Sequence, residues 1–206
     1  MENSINEMAS YPSEALLEIL EAGKPVAFPT DTLPALAIKP QYAQRLWQLK
    51  QRPAHKPLIL MAAEVDQLIA ALMIPPPPGW QALVDKGWPG ALTLVLPAAG
   101  PVQEGLNPGG SSLGLRIPAC PMALQFLRRS GPLATTSANY SGEPACTSPE
   151  QISRLFPELP LLAPLPWPSG SGKASTVVAW QAEKGSGVCS WNVVRQGSLQ
   201  LNWLEK

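Results

Sequence analysis

Histidine occurs once in the 206 residues, at His55. That scarcity excludes an HExxH centre or a His-rich metal site, and it excludes a Ser-His-Asp triad unless His55 is its base. No GxSxG segment supplies the serine either. Charge is also thin: 15% of residues are Asp, Glu, Lys or Arg, against roughly a quarter in a typical soluble domain. Fifteen basic and fifteen acidic residues cancel to a net charge of +0. The chain therefore has no global pull toward nucleic acid or membrane, and any anion must be gathered by local clustering. The three cysteines (Cys120, Cys146, Cys189) are odd in number, widely spaced and without a CxxC. They argue against a disulfide framework or zinc knuckle and for reduced thiols in a cytoplasmic setting. No apolar run approaches the length of a bilayer span, and the polar, acidic start Met1-Glu2-Asn3-Ser4 does not read as a signal peptide.

What the sequence does have is 45% apolar residues and 25 prolines, enough for a sizeable core joined by stiff connections. The length fits one domain over residues 1–206, with its core at about 13–199. A helix is expected over 13–22, capped by Ser13, with Leu16, Leu17 and Leu20 inward and Gly23 as its stop. Further helices are expected at about 41–50, 64–72, 80–86, 122–129 and, capped by Ser148, 149–156. Strands are expected at 25–28, 58–61, 91–96, 113–117, 175–180 and 188–195, with another from the apolar lead-in at Leu133 that ends on the Thr135-Thr136 pair. The run Pro75 to Pro78 reads as stiff and extended. Elements alternate irregularly, with too many adjacent strands for a doubly wound sheet. A mixed, twisted sheet with helices packed on it fits.

Acids are unevenly distributed. None lies between Thr32 and Ala63, where Lys39, Arg45, Lys50, Arg52 and Lys56 fall. None lies from Gly105 to Gly142, which holds Arg116, Arg128 and Arg129, nor from Lys184 to Leu204, which holds Arg195. Loops that offer cations and hydroxyls without competing carboxylates suit a polyanion, since each charge-assisted bond to a phosphate oxygen contributes on the order of 1.5–3 kcal/mol. A basic face would also serve RNA, although the neutral net charge and the lack of interleaved aromatic and basic residues argue against that as the main role. The stretch Leu133-Ala-Thr-Thr-Ser-Ala-Asn-Tyr-Ser-Gly142 is neutral and rich in hydroxyls, as a strand opening onto a ligand would be. Gly170-Ser-Gly-Lys173-Ala-Ser175 looks like a P-loop but has Trp167 where the first glycine belongs and Ala174 where magnesium needs Ser or Thr. Asp31 is the lone acid beside any motif, so a metal would ride mainly on a ligand's phosphates.

Seven segments together resemble the YrdC-like threonylcarbamoyl-AMP synthases over about residues 13–199. They are Pro29-Thr-Asp-Thr32, Lys50-Gln-Arg52-Pro53 with Lys56-Pro-Leu58, Trp88-Pro-Gly-Ala-Leu-Thr93, Leu115-Arg-Ile-Pro118, Thr135 to Gly142, Ser175-Thr-Val-Val178 and Val194-Arg-Gln-Gly197. The resemblance implies an α/β fold whose twisted mixed sheet and flanking helices enclose a large, positively lined cavity. It implies formation of threonylcarbamoyl-AMP and pyrophosphate from L-threonine, bicarbonate and ATP, for threonylcarbamoyladenosine modification of tRNA. Mg2+ would be carried by the phosphates, and the partners would be tRNA or double-stranded RNA and proteins of the modification pathway. By resemblance, Lys50 and Arg52 hold the triphosphate as the catalytic cations, helped by Ser137, Asn139 and Arg195, with Ser112 near the nucleotide. Thr30, Arg116, Thr135 and Ser175 surround threonine, and Arg116 takes its carboxylate through a bidentate fork. The family usually follows Pro-Thr-(Asp/Glu)-Thr with an aromatic and a glycine, where this chain has Leu33-Pro34-Ala35-Leu36, so one cavity wall is reshaped. A second reading stays open: a divergent member that binds nucleotide or double-stranded RNA without synthase activity. Replacing Arg52 by Ala is expected to abolish ATP binding in equilibrium titrations; unchanged affinity would refute the phosphate assignment.

Overall fold

The computed structural model describes residues 8–51, 53, 56–182 and 189–201. Arg52 and His55 lie outside the described residues. In chain order the elements are β1 (Ser10–Tyr11), α1 (Ser13–Glu21), β2 (Val26–Phe28), β3 (Ala35–Ile38), α2 (Gln44–Leu49) after a 3-10 turn, β4 (Ile59–Met61), α3 (Val65–Ala70) and α4 (Trp80–Gly87). They continue with β5 (Leu92–Pro97), α5 (Pro101–Leu106), β6 (Ser112–Arg116), α6 (Pro121–Ser130), β7 (Leu133–Ser137), α7 (Pro149–Leu155), β8 (Leu161–Leu162), β9 (Thr176–Ala182) and β10 (Cys189–Arg195).

The strands form a ten-stranded sheet in the order β1-β8-β2-β3-β7-β4-β6-β5-β9-β10. It is mixed: β4 runs parallel to β6 and β5 to β9, while β3–β7, β4–β7 and β5–β6 are antiparallel. This is the twisted mixed sheet with flanking helices that the sequence predicts.

The period-2 pattern of the strands explains where the helices go. Leu36, Ile38, Leu60, Leu94, Leu96, Leu113, Leu115, Ala134 and Val178 share one buried cluster with Leu46 of α2, Leu68 of α3, Leu83 of α4, Leu106 of α5 and Ile152 of α7. The intervening residues point to the other face. There Ala35, Ala37, Met61 and Leu133 pack with Leu16 and Leu20 of α1 and with Ala123, Phe126 and Leu127 of α6. Beyond those two helices the same face carries Thr93, Gly114, Arg116, Thr135 and Ser137, residues too polar or too small to build a core. The sheet is therefore covered on one side and only half covered on the other, and the uncovered half becomes a cavity.

Local signals are met in part. Gly23 ends α1 with φ +71°, and the amides of Gly23 and Lys24 close the helix on Leu20 and Ile19 carbonyls. Ser148 caps α7 by accepting the Gln151 amide. Ser13 does not cap α1: the N-cap is Pro12, and the Ser13 hydroxyl, now inside the first turn, accepts from Arg129 instead. Four elements have no counterpart in the sequence reading. β3 is hidden because a four-residue apolar run behind Pro34 has no polar alternation: all four residues are buried. α5 contains Pro101 and Gly105 and reads as loop; its Gln103 side chain holds Asn107 and Gly110 carbonyls and so ties down the following glycine-rich segment. β1 and β8 are two-residue strands that pair with each other and carry no periodic signal.

Leu115→Ala, on the covered face, is expected to cost about 2–5 kcal/mol in denaturant unfolding. Val95→Ala, on the half-open face, should cost about 1 kcal/mol; equal losses would contradict the division of the two faces.

Candidate active site

The turn after β2 places three side chains that only a buried polar network can hold. Arg116, at the end of β6, is 5% exposed and donates to Asp31 Oδ1 (2.7 Å), Thr32 Oγ1 (2.7 Å) and the Gly90 carbonyl (3.1 Å). Asp31 Oδ1 also accepts the Ala119 amide at 3.0 Å. The Thr30 hydroxyl donates to the Leu33 carbonyl (2.7 Å) and accepts the Thr32 amide (3.1 Å). Its one proton being engaged, the 3.0 Å contact between Thr30 and Thr32 hydroxyls runs with Thr32 as donor. A directed chain results: Arg116 to Thr32, Thr32 to Thr30, Thr30 to the backbone at Leu33.

A guanidinium carries five N–H groups, and this one engages three, leaving two for a ligand. Burial pulls the Arg116 pKa below its ordinary value, the Asp31 carboxylate opposes that, and Arg195 adds like-charge repulsion.

Arg195 sits at the end of β10, where its Nε and Nη2 hold the Ser175 carbonyl (3.1 and 2.9 Å) and Nη2 reaches Ser175 Oγ (3.3 Å). Among the described residues no carboxylate pairs with it, and partial desolvation draws its pKa down. Ser175 Oγ also meets Thr93 Oγ1 at 2.8 Å. Gly197 explains the register: a Cβ there would come within 2.3 Å of the Ala174 carbonyl oxygen and 2.5 Å of that of Ser175, so only glycine lets the strand end fold back over Ser175.

These groups line a cavity of about 180 Å3. Six predicted residues meet on its wall: Thr30, Arg116, Thr135, Ser137, Ser175 and Arg195. Three others do not line it. Lys50 is fully buried; its ammonium donates to the Ser137 carbonyl and to Asn139 Oδ1 (2.9 Å), and its own carbonyl accepts the Ser141 amide at 3.0 Å. Asn139 in turn donates to Tyr140 and Glu143 carbonyls and accepts from Ser137 Oγ at 2.7 Å. Lys50 and Asn139 thus brace the 137–143 loop behind the cavity. Ser112 lies at the opposite end of β6 from Arg116, held by Asn107.

The segment read from sequence as a reshaped wall, Leu33-Pro34-Ala35, does line the cavity. Ile59 and Met61, which the sequence does not single out, complete its apolar side, and Thr32 forms its floor beside Arg116. Thr93, behind Ser175, could have been found from its place between Leu92 and Leu94, where alternation sends a hydroxyl to the open face. The 169–173 segment does not cradle an anion: the Ser171 and Gly172 amides bind the Asp31 and Thr32 carbonyls at 2.9 and 3.1 Å, and a Cβ on Gly170 would lie 2.3 Å from Thr32 O. Its glycine serves close packing against the threonine turn. Among the described residues no cluster of three His, Cys, Asp or Glu could hold a metal.

A half-open α/β sheet with two arginines on a hydroxyl-lined well has the chemistry to suit a small anionic or zwitterionic molecule. The chain belongs to the Sua5/YciO/YrdC family, whose model, described as "Telomere recombination", matches residues 18–197. It is 37% identical over 143 residues to a threonylcarbamoyl-AMP synthase of Bacillus subtilis, covering 66% of this chain and 40% of that protein. It is 34% identical over 150 residues to a threonylcarbamoyl-AMP synthase of Stenotrophomonas maltophilia, covering 70% of this chain and 81% of that one. The solved structure of P. abyssi Sua5 complexed with L-threonine matches with a TM-score of 0.82 and 30% identity, over 94% of this chain and 56% of that chain. The chain thus spans about two fifths of the Bacillus relative and most of the Stenotrophomonas one.

Removing Arg116 leaves the half-buried Asp31 without its cation, so Arg116→Ala should cost about 3 kcal/mol. Arg195→Ala should cost under about 1 kcal/mol. Chemical denaturation of the two variants separates the arginine whose removal strands an ion-pair partner from the one that has no carboxylate partner among the described residues.

Proposed function

We propose that the chain is an L-threonylcarbamoyladenylate synthase, a nucleotidyltransferase that converts L-threonine, bicarbonate and ATP into threonylcarbamoyl-AMP and pyrophosphate. The observation that carries this is the pair Arg116 and Arg195 over one amino-acid-sized well, in a chain of this family.

The unengaged N–H groups of Arg116 suit the threonine carboxylate. The hydroxyl of Thr135 gives its proton to the Ile59 carbonyl at 3.0 Å, so toward the cavity its oxygen only accepts, as an amine or alcohol donor requires. Thr30 and Ser175 complete the threonine site in this reading. A well of about 180 Å3 is below the roughly 300–1,000 Å3 of sites for larger ligands. The nucleotide is therefore assigned to the rim, with its phosphates on Arg195, Ser137, Asn139, Lys50 and, by family resemblance alone, Arg52, and its nucleoside toward Ser112. This assignment requires the Lys50 ammonium, the Ser137 hydroxyl and the Asn139 amide each to exchange a present acceptor (the Ser137 carbonyl, Asn139 Oδ1, and the Tyr140 or Glu143 carbonyl) for a phosphate oxygen.

Threonine nitrogen and carbon dioxide derived from bicarbonate give a carbamate. One carbamate oxygen forms a bond to the α-phosphorus of ATP as the bond to the β-phosphate oxygen breaks, and pyrophosphate leaves. No step needs a histidine or paired acids. The protein's part is alignment and stabilisation of charge gathering on phosphate oxygens. Asp31 is the one carboxylate at the site among the described residues, and its Oδ1 is taken by Arg116 and the Ala119 amide, so in this reading Mg2+ is carried mainly by the nucleotide's phosphates. In this reading the chain acts as one domain in the cytoplasm, and its product passes to proteins that modify tRNA.

The test is pyrophosphate release from ATP, measured with threonine or bicarbonate omitted in turn. Release that requires both supports the reading; no turnover above background with both present sinks it. Arg195→Ala should raise the KM for ATP roughly 10- to 100-fold, the equivalent of one charge-assisted bond. An unchanged KM would remove Arg195 from the phosphate site.

A further inference from the structure

Beside the cavity lies a second, separate recess of about 120 Å3, walled by Pro29, Ser148, Trp167, Pro168 and Gly170. Two residues line both spaces: Thr30 and Pro34. Thr30 is the far end of the hydrogen-bond chain that starts at Arg116, so its place is set by the arginine assigned to the carboxylate. Pro34 is buried, its carbonyl accepts the Ala138 amide at 3.2 Å, and the residue after it begins β3. Its ring fixes φ and offers no N–H. The partition is thus a stiff, apolar plate pinned on both sides, with no donor to present to a substrate and little freedom to yield.

Building on the synthase reading, we propose that Pro34 is the specificity-determining residue of this site. It closes the well against the recess behind it and so limits the amino acid to a side chain about the size of threonine's. A wall of this kind works by exclusion rather than attraction. The well has apolar surface at Leu33, Ala35 and Met61 that would welcome a longer aliphatic chain, and Pro34 stands between the well and the recess behind it. Each methylene refused by such a pocket changes selectivity by roughly 10- to 200-fold.

The test compares kcat/KM for pyrophosphate release with L-threonine, L-2-aminobutyrate, L-norvaline and L-norleucine. The wild-type protein should lose activity stepwise with chain length. Pro34→Gly, and more weakly Pro34→Ala, should raise the norleucine-to-threonine ratio roughly 10- to 100-fold by joining the two spaces. Ser169→Trp, filling the recess from its exposed outer rim, should reverse that gain in the Pro34→Gly background. Wild-type turnover of norleucine within threefold of threonine would overturn the proposal even if neither proline variant folds. A folded Pro34→Gly protein with an unchanged ratio would overturn it too. Wild-type protein inert with every amino acid would defeat the synthase reading itself, which is a different result from an active enzyme that ignores chain length.

Discussion

The ion pair between Arg116 and Asp31 is the constraint on which the rest of the site depends. Its side chains are 6% and 19% exposed, and two charges taken so far from water are costly unless the remaining donors and acceptors also find partners. Here three of the five guanidinium N–H groups find partners in Asp31, Thr32 and the Gly90 carbonyl, and Asp31 Oδ1 also takes the Ala119 amide. The consequence is positional. Arg116 on β6, the turn after β2, the turn before β5 and the start of the loop into α6 are held to one point. Segments far apart in sequence are thereby fixed around one well, and the guanidinium still has two N–H groups unengaged. A buried pair of this kind is a poor source of stability and a good source of geometry.

The open half of the sheet follows from side-chain alternation rather than from any special loop. Where α1 and α6 cover it, the strands present Ala35, Ala37, Met61 and Leu133. Where no helix covers it, they present Thr93, Gly114, Arg116 and Thr135. The back face of the same strands is leucine-rich throughout, so the fold loses little core by leaving part of the front bare. Function here takes the positions that packing does not need.

That division also explains what could be read beforehand. The alternating Leu-Gly-Leu-Arg of β6 and Leu-Thr-Leu-Val-Leu of β5 announce half-buried strands, and Gly23 and Ser148 mark helix ends by local chemistry. Family resemblance puts Thr30, Arg116, Thr135 and Ser175 around threonine and Ser137 and Arg195 on the phosphates; these six line one cavity, while Lys50, Asn139 and Ser112 do not. The strand β3 was hidden because burial on both faces erases alternation, and Pro34 before it looks like a break. The roles of Asp31 and Lys50 were illegible for a different reason. Both are defined by partners about 85 residues away, and nothing in their neighbourhoods in sequence names those partners.

Two glycines show how the well keeps its shape without a rigid local scaffold. Gly170 brings its backbone against the carbonyls of Thr30 and Thr32, and Gly197 brings the end of β10 against Ser175. The first clamp fixes the threonine turn, and the second fixes the place where Arg195 meets β9. Neither glycine stands at a positive φ, so backbone conformation does not require them; the absent Cβ does. Each clamp serves one side of the well, and Arg116 is where the two sides meet: bonded to the first through Thr32 and Asp31, and facing the second across the cavity through the repulsion of Arg195. The two clamps thereby set how near the two guanidiniums stand, and the like charge of Arg195 is one of the causes that lower the pKa of Arg116, after burial.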